Sequence, residues 1–136
     1  MPVADTELLF ALNPNDRKHS LALKALTINA LKVPDTALLE FQVVLRARGR
    51  KASEVASALE AVKYILEGKG VREVYTINTY LLIKQAEIEE KYELTYFDSL
   101  IAASALKLDG VVVSDDKAFD KVPNINRIPL TLECNL

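Results

Sequence analysis

The chain predicts an α/β fold, a parallel sheet with helices on both faces, and three observations carry that prediction. Short apolar or β-branched runs recur at residues 2–5, 71–77, 111–114 and 125–130, each of strand length. Longer segments with apolar residues at helical spacing separate them. Parallel neighbours cannot be joined by a tight turn and need a crossover, usually a helix, so strands alternating with helices argue for parallel pairing.

Taken in order, residues 2–5 read as a short buried strand entering a helix over 6–12, and Asn13-Pro14-Asn15-Asp16 is turn chemistry. A helix over 17–31 follows, apolar on nearly every side through Leu21, Leu23, Leu26, Ile28 and Leu31, and so expected to be sandwiched or covered by a partner. Lys32-Val33-Pro34-Asp35 reads as an extended link, because the residue before proline is pushed out of the helical region. Asp35 or Thr36 is placed to cap a helix ending at Gly49, with Arg46 and Arg48 suited to its negative end. The next helix spans 51–67 and stops at Gly68-Lys69-Gly70; a strand covers 71–77. Helices over 79–92 and 95–108 follow, the second ended by Gly110. A buried strand at 111–114, one helical turn at 117–119 and a proline-edged strand at 125–130 complete the chain.

At 136 residues the length suits one domain over 1–136, large enough for a core without staples. No apolar run is long enough to span a bilayer, and Asp5 and Glu7 interrupt the apolar character a signal peptide needs, so a cytoplasmic protein is expected. The single cysteine, Cys134, excludes an internal disulfide and a thiolate zinc cluster. The single histidine, His19, reads as an exposed helix residue and leaves no histidine pair for acid–base work. A net charge of −2 is no nucleic-acid footprint by itself.

Four acids stand at the ends of apolar segments or inside them: Asp5, Glu40, Asp98 and Asp116. Clustered buried carboxylates repel and desolvate badly, so they take up protons or hold a cation, and a divalent metal is the economical solution. Each acid also has a plainer role. Asp5 and Asp116 are placed to cap the turns that follow them, and Thr95-Tyr96-Phe97-Asp98 matches a capping box. Glu40 resists such a role best, because its neighbours three and four positions away include no cation. Asp5 and Asp116 fall at the carboxyl ends of two strands, where open parallel sheets bind ligands.

The segments Val3-Ala4-Asp5-Thr6, Leu38-Leu39-Glu40, Phe97-Asp98-Ser99-Leu100-Ile101-Ala102-Ala103 and Val112-Val113-Ser114-Asp115-Asp116-Lys117-Ala118-Phe119 together resemble a PIN domain, most closely the small prokaryotic VapC-type toxins. The resemblance spans essentially the whole chain, and the last two segments are its most specific part. It implies a three-layer α/β/α sandwich and a magnesium- or manganese-dependent endoribonuclease, the toxin of a type II toxin–antitoxin pair. Asp5, Glu40, Asp98 and Asp116 would be its acidic quartet and Thr6 and Ser114 hydroxyl neighbours, while Asp115 competes with Asp116 for the fourth place. Dimers and an inhibitory antitoxin are implied as well. Arg46, Arg48, Arg50 and Lys51, with Lys117 and Lys121 after Asp116, are candidates for contacting RNA phosphates. The alternative is a PIN fold without turnover that serves as an RNA-binding or protein-interaction module.

Other α/β chemistries fit less well. A dehalogenase-type phosphatase would place a second aspartate two residues after the nucleophile, where this chain has Glu7. The segment over 71–77 ends in no aspartate a receiver domain could phosphorylate, and the glycines stand singly rather than in a phosphate-cradling loop.

Overall fold

A computed structural model describes residues 1–131; Cys134 lies outside them. The order of elements is β1 (Val3–Ala4), α1 (Thr6–Phe10), α2 (His19–Ala25), β2 (Lys32–Pro34), α3 (Asp35–Ala47), α4 (Ala52–Gly68), β3 (Arg72–Val74), α5 (Thr79–Tyr92), α6 (Tyr96–Lys107), β4 (Val111–Val113), a 3-10 turn (Lys117–Lys121) and β5 (Asn126–Ile128). The strands form one five-stranded sheet in the order β3-β2-β1-β4-β5, every pair parallel. Helices flank the sheet as the outer layers of an α/β/α sandwich, as expected.

Burial explains why such short strands suffice. Val3, Ala4, Val33, Val112 and Val113 are fully buried, the uninterrupted apolar pattern of strands covered on both faces. The α6 helix is buried at every position from Ser99 to Ala105, and its small side chains let it lie close to β4, α3 and α5. Phe119 fills the core beneath the 3-10 turn.

Three hydroxyls pin the layers where the apolar core meets the carboxyl end of β3. Ser104 Oγ hydrogen-bonds Thr36 Oγ1 at 2.7 Å and Thr76 Oγ1 at 2.8 Å, and all three residues are buried. The polar atoms satisfy one another, so this region joins α3, α6 and the β3 exit without an orphaned group. Asp35 completes the joint. Its carboxylate accepts from the backbone N–H groups of Thr76 (2.8 Å) and Ile77 (3.0 Å) and from the Thr76 hydroxyl (2.7 Å). Asp35 therefore braces β3 from the first residue of α3 and also accepts that helix's Thr36 N–H at 3.0 Å; Pro34 occupies the cap position, with no side-chain bond.

Three other expectations are corrected. Lys32–Pro34 is extended as foreseen, yet it is a paired strand, with Lys32 in register with both Val3 and Arg72. Pro34 ends the strand, where its missing N–H costs the ladder little. The helix expected over 17–31 is only His19–Ala25, and the chain then turns through Ala30 at φ 60°. Ala22, Ala25, Leu26 and Leu31 are buried, and Leu21, Leu23 and Ile28 pack on the same core, so most of its apolar surface is already covered. His19 is half-buried, its Nδ1 3.0 Å from the Ala11 carbonyl oxygen, and not the exposed residue expected.

Gly110 ends the α6 region as expected, for a steric reason. It sits at φ +78°, and a Cβ there would lie 2.4 Å from the Asn124 carbonyl oxygen. That close approach seats β4 against the loop leading to β5.

Candidate active site

The site grows from the centre of the sheet. β1 pairs with β4 in register, Ala4 with Val113, while β2 and β3 extend to one side and β5 to the other. This is the switch point of an open parallel sheet, where connections diverge and leave a crevice beyond the carboxyl ends. Asp5 emerges from β1, its N–H held by the Val113 carbonyl at 3.1 Å. Ser114, Asp115 and Asp116 emerge from β4. Helix α3 brings Glu40 over the crevice, where it accepts a hydrogen bond from the Thr6 hydroxyl. The first turn of α6 supplies Asp98.

Ser114 is the hub. Its buried hydroxyl donates to Asp5 Oδ2 at 2.7 Å and accepts the Asp116 N–H at 2.9 Å, so one side chain sets the spacing of two acids from different strands. Glu7 Oε1 lies 3.3 Å from the same hydroxyl and also accepts the Asp115 N–H. With a single proton, the Ser114 hydroxyl favours the nearer Asp5.

The capping roles are real but partial. Asp5 Oδ1 accepts from Thr6 N–H at 2.7 Å, Asp116 Oδ1 from Ala118 N–H at 2.9 Å, and Thr95 Oγ1 from Asp98 N–H at 3.3 Å. The first two bonds aim the carboxyls of Asp5 and Asp116 without neutralising them, and the third fixes the backbone from which Asp98 projects. Burial, the largest influence, pushes the Asp5 carboxyl up to about 7; bonds from Ser114 and Thr6 pull it down, and the Glu7 and Asp98 charges push it further up. Asp98 rises to about 6, through burial first and then the Asp116 and Glu40 charges. Glu40 is raised too, by burial and by Asp116, against the Thr6 hydrogen bond. Asp5, Glu40, Asp98 and Asp116 thus share one field, and among the described residues none of the four has a salt-bridge partner.

Asp115 stands apart. It is paired with Lys18 Nζ at 2.8 Å and accepts the Leu130 N–H at 2.8 Å. Burial pushes it upward, but Lys18 and the Leu130 and Thr131 amides outweigh that and hold it below the usual carboxylate range. The geometry thereby separates the two candidates: Asp116 faces the acids, and Asp115 ties the end of β4 to Lys18 and the segment after β5. Arg127 steadies the same end, donating to the Ser114 carbonyl at 3.2 Å while pairing with Asp120.

Lys18 was not singled out in the sequence, and Glu7 was noted there without a part in the site. Glu7 lies two residues past Asp5, a faint signal, but the ion pair joining Lys18 to Asp115 bridges most of the chain and has no local signature. Among the basic candidates, Arg46, Arg48, Arg50, Lys51, Lys117 and Lys121 are all exposed. Arg50 lies 4.0 Å from Glu54, and only Arg48 lines the cleft that adjoins the acids.

Every donor of the four acids is a carboxylate oxygen, the ligand type that hard divalent cations select. Among the described residues no three acids already form a group that could hold a metal ion. The fit to a hard divalent cation such as magnesium therefore lies in the chemistry of the donors, not in a preformed group of three.

An acid-lined crevice at the β1–β4 switch of a parallel α/β/α sandwich defines the class, and the sequence agrees: residues 3–125 match the PIN domain model, and the chain belongs to that family. No curated protein matches it in sequence. Solved structures share the fold at low identity. VapC20 of Mycobacterium tuberculosis, described as a sarcin-ricin loop cleaving toxin, is 19% identical with a TM-score of 0.68, over 92% of this chain and 97% of that one. VapBC2 of Rickettsia felis, bound to a DNA fragment from its promoter, is 18% identical with a TM-score of 0.65, over 93% and 96%. A toxin–antitoxin complex from Klebsiella pneumoniae is 16% identical with a TM-score of 0.61, over 93% and 96%.

Proposed function

We propose that this PIN domain is a magnesium- or manganese-dependent endoribonuclease. The observation that carries the reading is the quartet: four carboxyls from β1, α3, α6 and the β4 exit gather in one crevice, three are pushed toward protonation, and no cation of the described chain neutralises them. Nearby acids with structural duties, Asp115 and Asp120, are each paired instead. Leaving the buried Asp5 and the half-buried Glu40 and Asp98 without a neutralising cation costs stability and is maintained where a bound cation is part of the function.

Asp5, Asp98 and Asp116 would hold the ion directly or through water, and Glu40, oriented by Thr6, would bind a water or orient the attacking one. A bound divalent ion would acidify water and offset the charge developing on the phosphoryl group. Ser114 fixes Asp5 relative to Asp116, while Glu7, Lys18 and Asp115 hold the β4 exit. RNA as the substrate draws support from the family and from the sarcin-ricin loop cleaving neighbour of like fold.

An inhibitory protein partner of the antitoxin kind belongs to the same reading. It draws support from the toxin–antitoxin complexes among the fold's neighbours and from an apolar groove between α1, α3 and α4 lined by Leu9, Leu12, Phe41, Leu45, Val62 and Ile65. A homodimer is also part of the proposal. Its support no longer comes from the segment over 17–31, which is largely covered, but from exposed Tyr75, Ile77, Tyr80 and Ile83 near the start of α5.

The test is cleavage of single-stranded RNA with magnesium or manganese, with and without chelator. Metal-dependent cleavage supports the nuclease. Metal binding without cleavage favours the alternative, a PIN fold serving as a binding module.

A further inference from the structure

A cleft of about 590 Å³ opens beside the acids, lined by Glu7 and Lys18 at the end nearer Ser114 and by Phe10, Asn13, Arg17 and Arg48 beyond; Asn15 and Asp16 complete its wall. Its charges are unevenly satisfied. Lys18 is consumed by Asp115 at 2.8 Å and Glu7 at 3.8 Å, and the Asp16 carboxylate accepts the Lys18 backbone N–H at 2.8 Å. Arg17 and Arg48, among the described residues, have no carboxylate within ion-pair distance. The Arg48 guanidinium lies 5.0 Å from the Phe10 ring centre, and Phe10 is in turn fixed against Phe41 at 4.8 Å. That stacking orients Arg48 while leaving its donors free. The cleft thus runs from Glu7, 3.3 Å from the Ser114 hydroxyl that holds Asp5, to two guanidiniums without a carboxylate partner among the described residues, with amide side chains and an aromatic edge between.

We infer that this cleft is the subsite for the RNA nucleotide next to the scissile phosphate, with Arg17 and Arg48 on its phosphate and Asn13, Asn15 and Phe10 against its base and sugar. The inference rests on the nuclease reading for what happens at the acids, but not for RNA binding itself. Guanidiniums match phosphate oxygens bidentately, and Asn amides present both a donor and an acceptor to base edges. The volume falls within the range of ligand clefts. Of the basic residues in the last turn of α3 and just after it, only Arg48 then belongs to the subsite; Arg46 and Lys51 do not line it.

The test uses the full chain and a fluorescein-labelled single-stranded RNA decamer of mixed sequence, bound in chelator so that nothing is cut. Arg17→Gln and Arg48→Gln should each weaken binding by about fivefold and flatten the salt dependence by roughly 0.7 per lost phosphate contact, whereas Lys69→Gln should bind like the parent. In manganese, the two cleft variants should raise KM and leave kcat nearly unchanged. Arg17 is exposed and unpaired, so its variant reports binding rather than folding; matched melting curves verify this for both. Unchanged affinity and KM in both cleft variants, in a parent that binds and cuts RNA, overturn the subsite and leave the nuclease standing. A parent that binds RNA through Arg17 and Arg48 but cuts none with any metal upholds the cleft as an RNA-binding site and sinks the nuclease. If instead the decamer is indifferent to these variants and a poly-glutamate peptide loses affinity for them, the cleft serves a protein and the RNA subsite is wrong.

Discussion

Replacing Asp5 with asparagine should stabilise the metal-free protein at alkaline pH, an unusual result for a buried residue with two hydrogen bonds. Asp5 is 6% exposed, and its carboxyl is raised from 3.8 to about 7, chiefly by burial. At about 1.36 kcal/mol per pH unit, ionised Asp5 costs the fold about 4 kcal/mol above pH 7. The sign follows from the protonated form being favoured in the folded state. Its contribution is fully present below the unfolded value of 3.8 and is lost as the pH rises through about 7. Asparagine keeps an oxygen for the Thr6 N–H, and Glu7 Oε1, 3.3 Å from Ser114 Oγ, takes over its proton. Losing the charge-assisted Ser114 bond costs about 1.5–3 kcal/mol. The net expectation for Asp5→Asn is a gain of about 1–2 kcal/mol at pH 8 and no gain, or a small loss, at pH 4. Urea denaturation in chelator at the two pH values measures this directly. A variant less stable than the parent at pH 8 would show that Asp5 is an ordinary cap and that the crevice does not store unpaired charge.

Asp115→Asn should lose about 1–2 kcal/mol, because it weakens the Lys18 pair and the Leu130 anchor, yet retain most cleavage. Asp116→Asn should show the opposite, near-parental melting and cleavage lost by a factor of about 100 or more; equal effects on both would undo their separation. Gly110→Ala should lose about 2–4 kcal/mol, since it combines φ +78° with a Cβ 2.4 Å from Asn124 O. A melting temperature within a degree of the parent's would contradict that. Magnesium should raise the melting temperature of the parent at pH 8 and leave an Asp5→Asn, Asp98→Asn double variant almost unmoved, as followed by thermal denaturation over a metal titration.

The parts of this molecule legible in the sequence are those encoded locally. Val111, Val112 and Val113 between Gly110 and Ser114 announce a buried strand, and an aspartate just past such a run lands at a strand's carboxyl end. Asp5 and Asp116 could therefore be placed, Asp98 was marked by the Thr95-to-Asp98 capping pattern that opens α6, and Glu40 stood out on an uncharged stretch of helix. What escaped was fixed by long-range partners. Three residues ending in Pro34 carry no alternation to mark β2, whose pairing comes from Val3 and Arg72 on either side. Ala30 turns the chain at φ 60° without the glycine that usually signals a stop, so the helix over 17–31 read as too long, and whether its own core or a partner covers its apolar surface could not be told from the sequence. The choice between Asp115 and Asp116 needed Lys18, and the cleft needed Phe10 and Arg48 brought together by the packing of α1 on α3.

The most direct test of the central claim, that the four carboxyls act as one metal-holding unit in RNA cleavage, is a paired titration on single variants. Manganese affinity and cleavage rate on one single-stranded RNA would be measured for the parent, Asp5→Asn, Asp98→Asn and Asp116→Asn at pH 8. Affinity and rate should fall together in all three variants, each still folded. Three variants that cleave like the parent, whatever their metal affinity, would contradict the claim even with the PIN fold intact.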